Sequence, residues 1–444
     1  MNPTWCAKAT VYELYVDKFA GNFSGLAAKL DYFENLGIDC LHVLPHYPSP
    51  MIDGGYDVSD YRNVRSDLGT LNDFVNFITK AHDRRIRVIV DFVLNHTSAE
   101  HSWFKEARQS RRAETRDYYF WSKTGLEYRE APNPFSNLKP NNWIYNSPTK
   151  DYYFATFYPE QPDLNWGNPR VFEEMLSIIN FWLSLGVDGF RLDAVPYIAK
   201  QDGTNCRALP ESHAILKRLR TAAEKINPEV IFLGEASGEL DQTKEYFGSG
   251  DECQLLYEFP LAAEMILALY NKNYERVYRL LKKANAGLPD GCYWLAFLRN
   301  HDELHLKDLA AGERKKLISA IDPVNQYPFK FGVSLRMAEI SKFLGGENST
   351  LGALNMLFKL PTPVMIYYGE EIGMKNLPAN REIKDSRLCV RGDFDWSEAA
   401  AQRSNPHSLF SKVSYLIKER ADLAGEKITE REEAIDLQFR PSEV

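Results

Sequence analysis

Short apolar runs recur along the chain and alternate with longer stretches whose apolar residues return every three to four positions. The runs at 11–16, 40–44, 87–93, 187–192, 230–233, 254–257, 293–298 and 364–368 read as strands, apolar nearly throughout and so buried on both faces. Between them, 71–81, 171–185, 212–226 and 351–360 carry the period of amphipathic helices. Eight such strands, with a helix pattern after nearly every one, predict an α/β fold, a parallel (β/α)8 TIM barrel. A doubly wound open sheet is the alternative, but no G-x-G-x-x-G follows the first strand.

Two stretches interrupt the alternation. Residues 97–169, rich in Tyr, Trp, Asn and Pro, follow the third strand and predict an inserted subdomain over the barrel mouth. A second long connection, 303–348, follows the seventh strand, with a short helix near Arg336. The barrel is thus assigned to 1–96 and 170–424, closing with a helix at 409–424, and a charged tail occupies 425–444. Both insertions leave strand ends, the catalytic face of barrel enzymes.

Composition narrows the setting. A net charge of −8 argues against nucleic acid or an anionic membrane as partner. No apolar run approaches the roughly 18 residues of a membrane span. Six scattered cysteines without C-x-x-C spacing, and no charged-then-apolar leader, predict a cytoplasmic protein with reduced thiols. The sequons at Asn22, Asn95 and Asn348 then carry no glycan.

Three carboxylates define the candidate chemistry. Asp193, Glu235 and Asp302 each follow a predicted strand, so a parallel barrel gathers them at one rim. Taken singly, each could cap a helix; together they suit glycosidic bond cleavage, which needs an acid, a nucleophile and a charge stabiliser. Neighbouring strands lie about 4.8 Å apart, which matches the close carboxyl pair of retaining glycosidases. Arg191 precedes Asp193 by two, faces the same side and is expected to keep that aspartate ionised. The spacing of His301 and His305 fits neither H-E-x-x-H nor H-x-x-E-H, so no metal is assigned. His101 and His213 lie outside any motif and read more readily as structural.

The flanking strings carry a resemblance. Asp91-Phe-Val-Leu-Asn-His-Thr97, Gly189-Phe-Arg-Leu-Asp193, Gly234-Glu-Ala236 and Arg299-Asn-His-Asp302 resemble, in order, the four signature regions of glycoside hydrolase family 13, the α-amylase family. Gln161-Pro-Asp-Leu-Asn165 is similar to its fifth region. The resemblance implies double displacement, with Asp193 as nucleophile, Glu235 as acid/base and Asp302 as stabiliser. It also implies that Tyr56, His96, Arg191 and His301 line the first sugar site, with Asp91 behind the sugar.

Asp53-Gly-Gly-Tyr56 and Asp385-Ser-Arg387 resemble a pair found in exo-acting members, where Asp53 and Arg387 would close the pocket beyond one sugar; Arg391 is a rival partner. The strings around these residues resemble amylosucrases, trehalose synthases and α-glucosidases in turn. Asn300 stands where the amylosucrase pattern has serine, which counts against polymer synthesis from sucrose. No cofactor is expected, and Ala20-Gly-Asn-Phe-Ser24 lacks the carboxylates of a calcium loop. The family's C-terminal β domain does not fit in the tail, so the chain is either minimal or truncated. An uncovered barrel wall leaves a homo-oligomer open. The expected substrate is a short α-glucoside such as sucrose, maltose or trehalose, either hydrolysed or transferred. Maltose–trehalose isomerisation and a non-catalytic binding subunit are the alternatives.

Overall fold

The computed structural model describes residues 3–344, 348–379 and 385–423. Eight strands close into a parallel barrel: β1 (Thr10–Leu14), β2 (Cys40–Val43), β3 (Arg87–Val93), β4 (Gly189–Asp193), β5 (Ile231–Gly234), β6 (Leu255–Tyr257), β7 (Tyr293–Phe297) and β8 (Val364–Tyr367). Each lies beside its neighbours in sequence order, and β8 closes against β1. All eight fall on the expected apolar runs. The first is shorter than its run, because Val16 already begins a helical turn.

The alternation of side chains explains what fills the barrel. Val11, Cys40, Ile89, Ile231, Leu255, Leu295 and Met365 pack together as the inner core. Two residues further along their strands, Glu13, His42 and Asp91 therefore point inward too. The intervening residues, such as Tyr12, Leu41, Val90 and Phe190, belong to the larger core between strands and helices. Position 189 must be glycine, since a Cβ there would lie 2.5 Å from Ile231 Cγ1 and 2.7 Å from its carbonyl oxygen.

The outer helices start where local chemistry starts them. Thr70 and Asp73 form a capping box at the head of Leu71–Asp83. Asn168 caps Pro169–Ser184, with proline at the first helical position. Helices Pro210–Glu224, Asn348–Phe358 and Leu409–Leu423 lie within two or three residues of the expected stretches. Among the unexpected helices, three run to eleven residues or more: Phe259–Asn271 and Glu275–Asn285 after β6, and Ala311–Ile321 within the connection after β7.

Two additions stand over the C-terminal rim. Between β3 and β4, strands Trp121–Ser122, Trp143–Asn146 and Asp151–Phe154 form an antiparallel sheet with Asp151–Phe154 in the centre. A buried ion pair, Lys200 Nζ to Asp163 Oδ2 at 2.9 Å, ties this segment to the loop after β4. After β7, Pro328–Phe329 and Gly332–Val333 form a small hairpin, followed by helix Met337–Leu344, the element expected near Arg336. The residues of the 425–444 tail lie outside the described residues. No helix among the described residues is long and apolar enough to cross a membrane.

Candidate active site

The site is built on inward positions of adjacent strands. Asp91 on β3 and Arg191 on β4 are register partners, and Arg191 Nη1 reaches Asp91 Oδ1 at 2.6 Å. The same nitrogen holds Asp193 Oδ1 at 2.7 Å, while Nη2 meets Glu235 Oε2 at 3.1 Å. One buried guanidinium thus faces three carboxylates. Glu235 continues β5, its amide donating to the Leu192 carbonyl at 2.9 Å, and its carboxylate accepts the Ala194 amide at 3.0 Å. The two carboxyls extend from neighbouring strands, whose usual spacing is about 4.8 Å, and share one face of the pocket.

Arg191 was expected to keep Asp193 ionised. Burial instead raises the Asp193 carboxyl well above the usual carboxylate range, opposed by Arg191 and reinforced by Glu235 and Asp91. The physical reason is the sharing: a single positive charge divided among three acids cannot offset the desolvation of each.

Asp302 is held differently. Its Oδ1 takes Arg391 Nη2 at 2.8 Å and Arg387 Nη1 at 3.1 Å, and Asn300 Oδ1 accepts its amide at 3.1 Å. Burial would raise this carboxyl, but His301, Arg387 and Arg391 bring it far below the usual range. Glu303, the next residue, is pushed up to about 7 by burial and by the Asp302 charge, with Arg387 and Lys330 opposing.

A polar network underlies these acids. The Tyr56 hydroxyl meets His301 Nε2 at 2.8 Å and Asp91 Oδ2 at 3.1 Å, and it accepts from Arg191 Nη1 at 3.2 Å. The Tyr56 ring stacks on His301 with centroids 5.5 Å apart. His301 Nδ1 turns to Glu13 Oε1 at 3.0 Å, and His42 Nε2 to Asp91 Oδ2 at 3.1 Å. Burial would raise Glu13, yet His301 and His42 bring it down to about 2. His96 sits beside the network, its Nε2 at 3.2 Å from the Tyr56 carbonyl, and burial lowers its pKa so that the ring is neutral.

Asp53 and Arg387 meet at 3.2 Å. Arg387 also grips Asp385 at 2.6 Å, and Gln161 Nε2 donates to Asp53 at 3.0 Å. Arg391, the rival partner, instead binds Asp302 and the His301 carbonyl. Of the other histidines, His305 lines the pocket and approaches Asp308 at 3.5 Å, while His213 pairs with Glu252 at 2.8 Å and His101 accepts the Trp103 amide. His301 and His305 face different partners.

All nine candidate residues therefore gather at the C-terminal rim. Asp53, Tyr56, His96, Asp193, Glu235, Asp302 and Arg387 line a cavity of about 200 Å³, with Arg191 and His301 behind it. This is smaller than the ~300–1,000 Å³ of pockets for drug-sized ligands, and suits a single sugar ring. It adjoins a cavity of about 1570 Å³ walled by Phe135, Phe329 and Leu388 among others. Glu13 and His42 were missed from the sequence; each interrupts an apolar strand at an inward position, and that interruption was the available signal.

A closed parallel barrel thus carries three acids around a small pocket on its C-terminal rim. The family model for the alpha amylase catalytic domain matches residues 8–331, and the chain belongs to the alpha-amylase family. It is 38% identical over 422 residues to a trehalose synthase of Thermus thermophilus, covering 92% of this chain and 43% of that protein. It is also 38% identical over 385 residues to a trehalose synthase/amylase of Mycobacterium tuberculosis, covering 84% of this chain and 63% of the relative. The chain thus spans about half of the length of these curated relatives. Among solved structures, an inactive MutB double mutant in complex with isomaltulose superposes with a TM-score of 0.76 at 25% identity, covering 95% of this chain and 85% of that one.

Proposed function

We propose that this chain is a retaining α-glucoside hydrolase or transglucosylase acting on the non-reducing glucose of short α-glucosides. The observation that carries this reading is the shared clamp: Arg191 holds Asp193 at 2.7 Å and Glu235 at 3.1 Å on adjacent strands, the close pairing of carboxyls that a retaining double displacement uses. In this reading Asp193 attacks the anomeric carbon and Glu235 protonates the leaving oxygen. Water or a sugar then attacks the glycosyl–Asp193 ester, giving its proton to Glu235. Asp302, held ionised by two arginines, stabilises the oxocarbenium-like transition state. Tyr56, His96, Arg191 and His301 shape the sugar site, and the Asp53–Arg387 contact closes its far end. Residues 97–169 form the subdomain that roofs the pocket. The six buried cysteines, none in a disulfide, are in keeping with a cytoplasmic setting.

Likeness to trehalose synthases over most of this chain favours a second reading, isomerisation of maltose and trehalose. The test is incubation with sucrose, maltose, trehalose and maltotriose, read by sugar chromatography, with Asp193→Asn as control. Turnover that vanishes in the variant is expected, and trehalose formed from maltose decides for the isomerase. Folded protein that turns over none of the four, or a variant as active as the parent, would overturn the reading.

A further inference from the structure

The throat between the two cavities holds charged groups that the catalytic arrangement does not use. Asp53, Phe135, Tyr197, Glu303, His305 and Lys330 line both the small cavity and the large one. An aglycone bonded to a sugar in the small cavity must pass here, so those of them outside the Asp53–Arg387 contact meet whatever leaves or arrives at the anomeric carbon. Asp53 is engaged by Arg387 and Gln161. The Glu303 carboxylate, by contrast, has no side chain within ion-pair distance among the described residues. Lys330, at the hairpin tip, has its ammonium 3.9 Å from the centroid of the Phe135 ring rather than on an acid.

The backbone places both groups deliberately. Leu304 N donates to the Val333 carbonyl at 2.9 Å, which pins the hairpin of Lys330 against the Glu303 segment. Gly332 lies where a Cβ would collide with the Leu304 carbonyl oxygen and come within 3.1 Å of Glu303 Cγ. The absence of a side chain at 332 is what lets the hairpin press this close. In its ionised form the Glu303 carboxylate only accepts hydrogen bonds and an ammonium only donates them, so the two offer complementary ends to an acceptor with several hydroxyls. Water has no second hydroxyl to fix its orientation in such a site.

We infer that Glu303, with Lys330 across the throat, is the specificity-determining residue that favours a vicinal-diol acceptor, a sugar, over water. The inference rests on the proposed retaining mechanism and concerns its second half. The acceptor oxygen attacks the anomeric carbon, the bond to Asp193 breaks and returns its carboxylate, and the acceptor proton passes to Glu235. Glu303 touches only the acceptor's other hydroxyls, orienting the attacking one.

The full chain, Glu303→Gln and Lys330→Ala are each given p-nitrophenyl α-glucoside with xylose as acceptor. Free glucose reports hydrolysis and glucosyl-xylose reports transfer; their ratio cancels differences in folding or active fraction. The ratio is expected to fall about tenfold in Glu303→Gln, the loss of one charge-assisted hydrogen bond, and less in Lys330→Ala. A Glu303→Gln ratio equal to that of the parent would overturn the inference while leaving the mechanism intact. No nitrophenol released by the parent would instead strike at the proposed function itself.

Discussion

At the residue scale, the account turns on one guanidinium facing three acids. In the proposed mechanism Asp193 must be ionised to attack, and its pKa is raised by burial, with Glu235 and Asp91 adding to the effect. A raised carboxyl stays protonated further up the pH scale, so the reactive form is lost as pH falls at values above the ordinary range near 4. The acid limb of kcat/KM should therefore lie above pH 4, measured as initial rates across a buffer series. An acid limb below 4 would mean that the Arg191 charge outweighs the desolvation of Asp193. Asp302, held low by His301, Arg387 and Arg391 against its burial, stays ionised throughout that window.

At the element scale, the barrel tolerates little at the point where β4 crosses β5. Gly189→Ala puts a methyl group against the Ile231 carbonyl oxygen and side chain, and against Ile89 Cγ2 at 3.0 Å. Overpacking of this kind costs about 1–3 kcal/mol, read as a lower denaturant midpoint at unchanged slope. An unchanged midpoint would show that the strands have room to part. The eight strands were legible because barrel strands, covered on both faces, spell continuous apolar runs. Helix Phe259–Asn271 was not legible: nine of its side chains are buried, so it shows no polar stripe to reveal a helical period. Helix Ala311–Ile321 buries only Leu317 and Ile321, too few positions to mark a face. The gathering of the nine candidate residues at one rim was legible through motif strings and strand ends. Glu13 and His42 were not, because they serve the site from one layer below, and Glu303 and Lys330 matter only once the hairpin is folded.

At the scale of the whole molecule, stability carries a pH dependence separate from activity. His46 is fully buried, stacked on Phe74 at 5.3 Å and edge-on to Trp182, and neither ring nitrogen has a hydrogen-bond partner among the described residues. Burial lowers its pKa to about 3, against 6.5 for the free group. A base depressed in the folded state binds fewer protons there than in the unfolded chain. Its neutral form therefore supports folding above about pH 6.5, and that support is lost as pH falls from 6.5 toward 3. His46→Phe should raise the midpoint of thermal unfolding more at pH 5 than at pH 7.5, as followed by circular dichroism. An equal shift at both pH values would remove His46 from the acid response.

The pocket, the clamp and the mechanism meet in one stereochemical outcome. In the proposed mechanism Asp193 and Glu235 carry out two successive inversions at the anomeric carbon, so the configuration of the substrate survives the reaction. Proton NMR of glucose released from p-nitrophenyl α-glucoside, whose aglycone adds no second glucose, recorded before mutarotation proceeds, reports that configuration directly. The account predicts α-glucose as the first-formed product. β-Glucose appearing first would mean a single displacement by water, and would contradict the assignment of Asp193 as nucleophile.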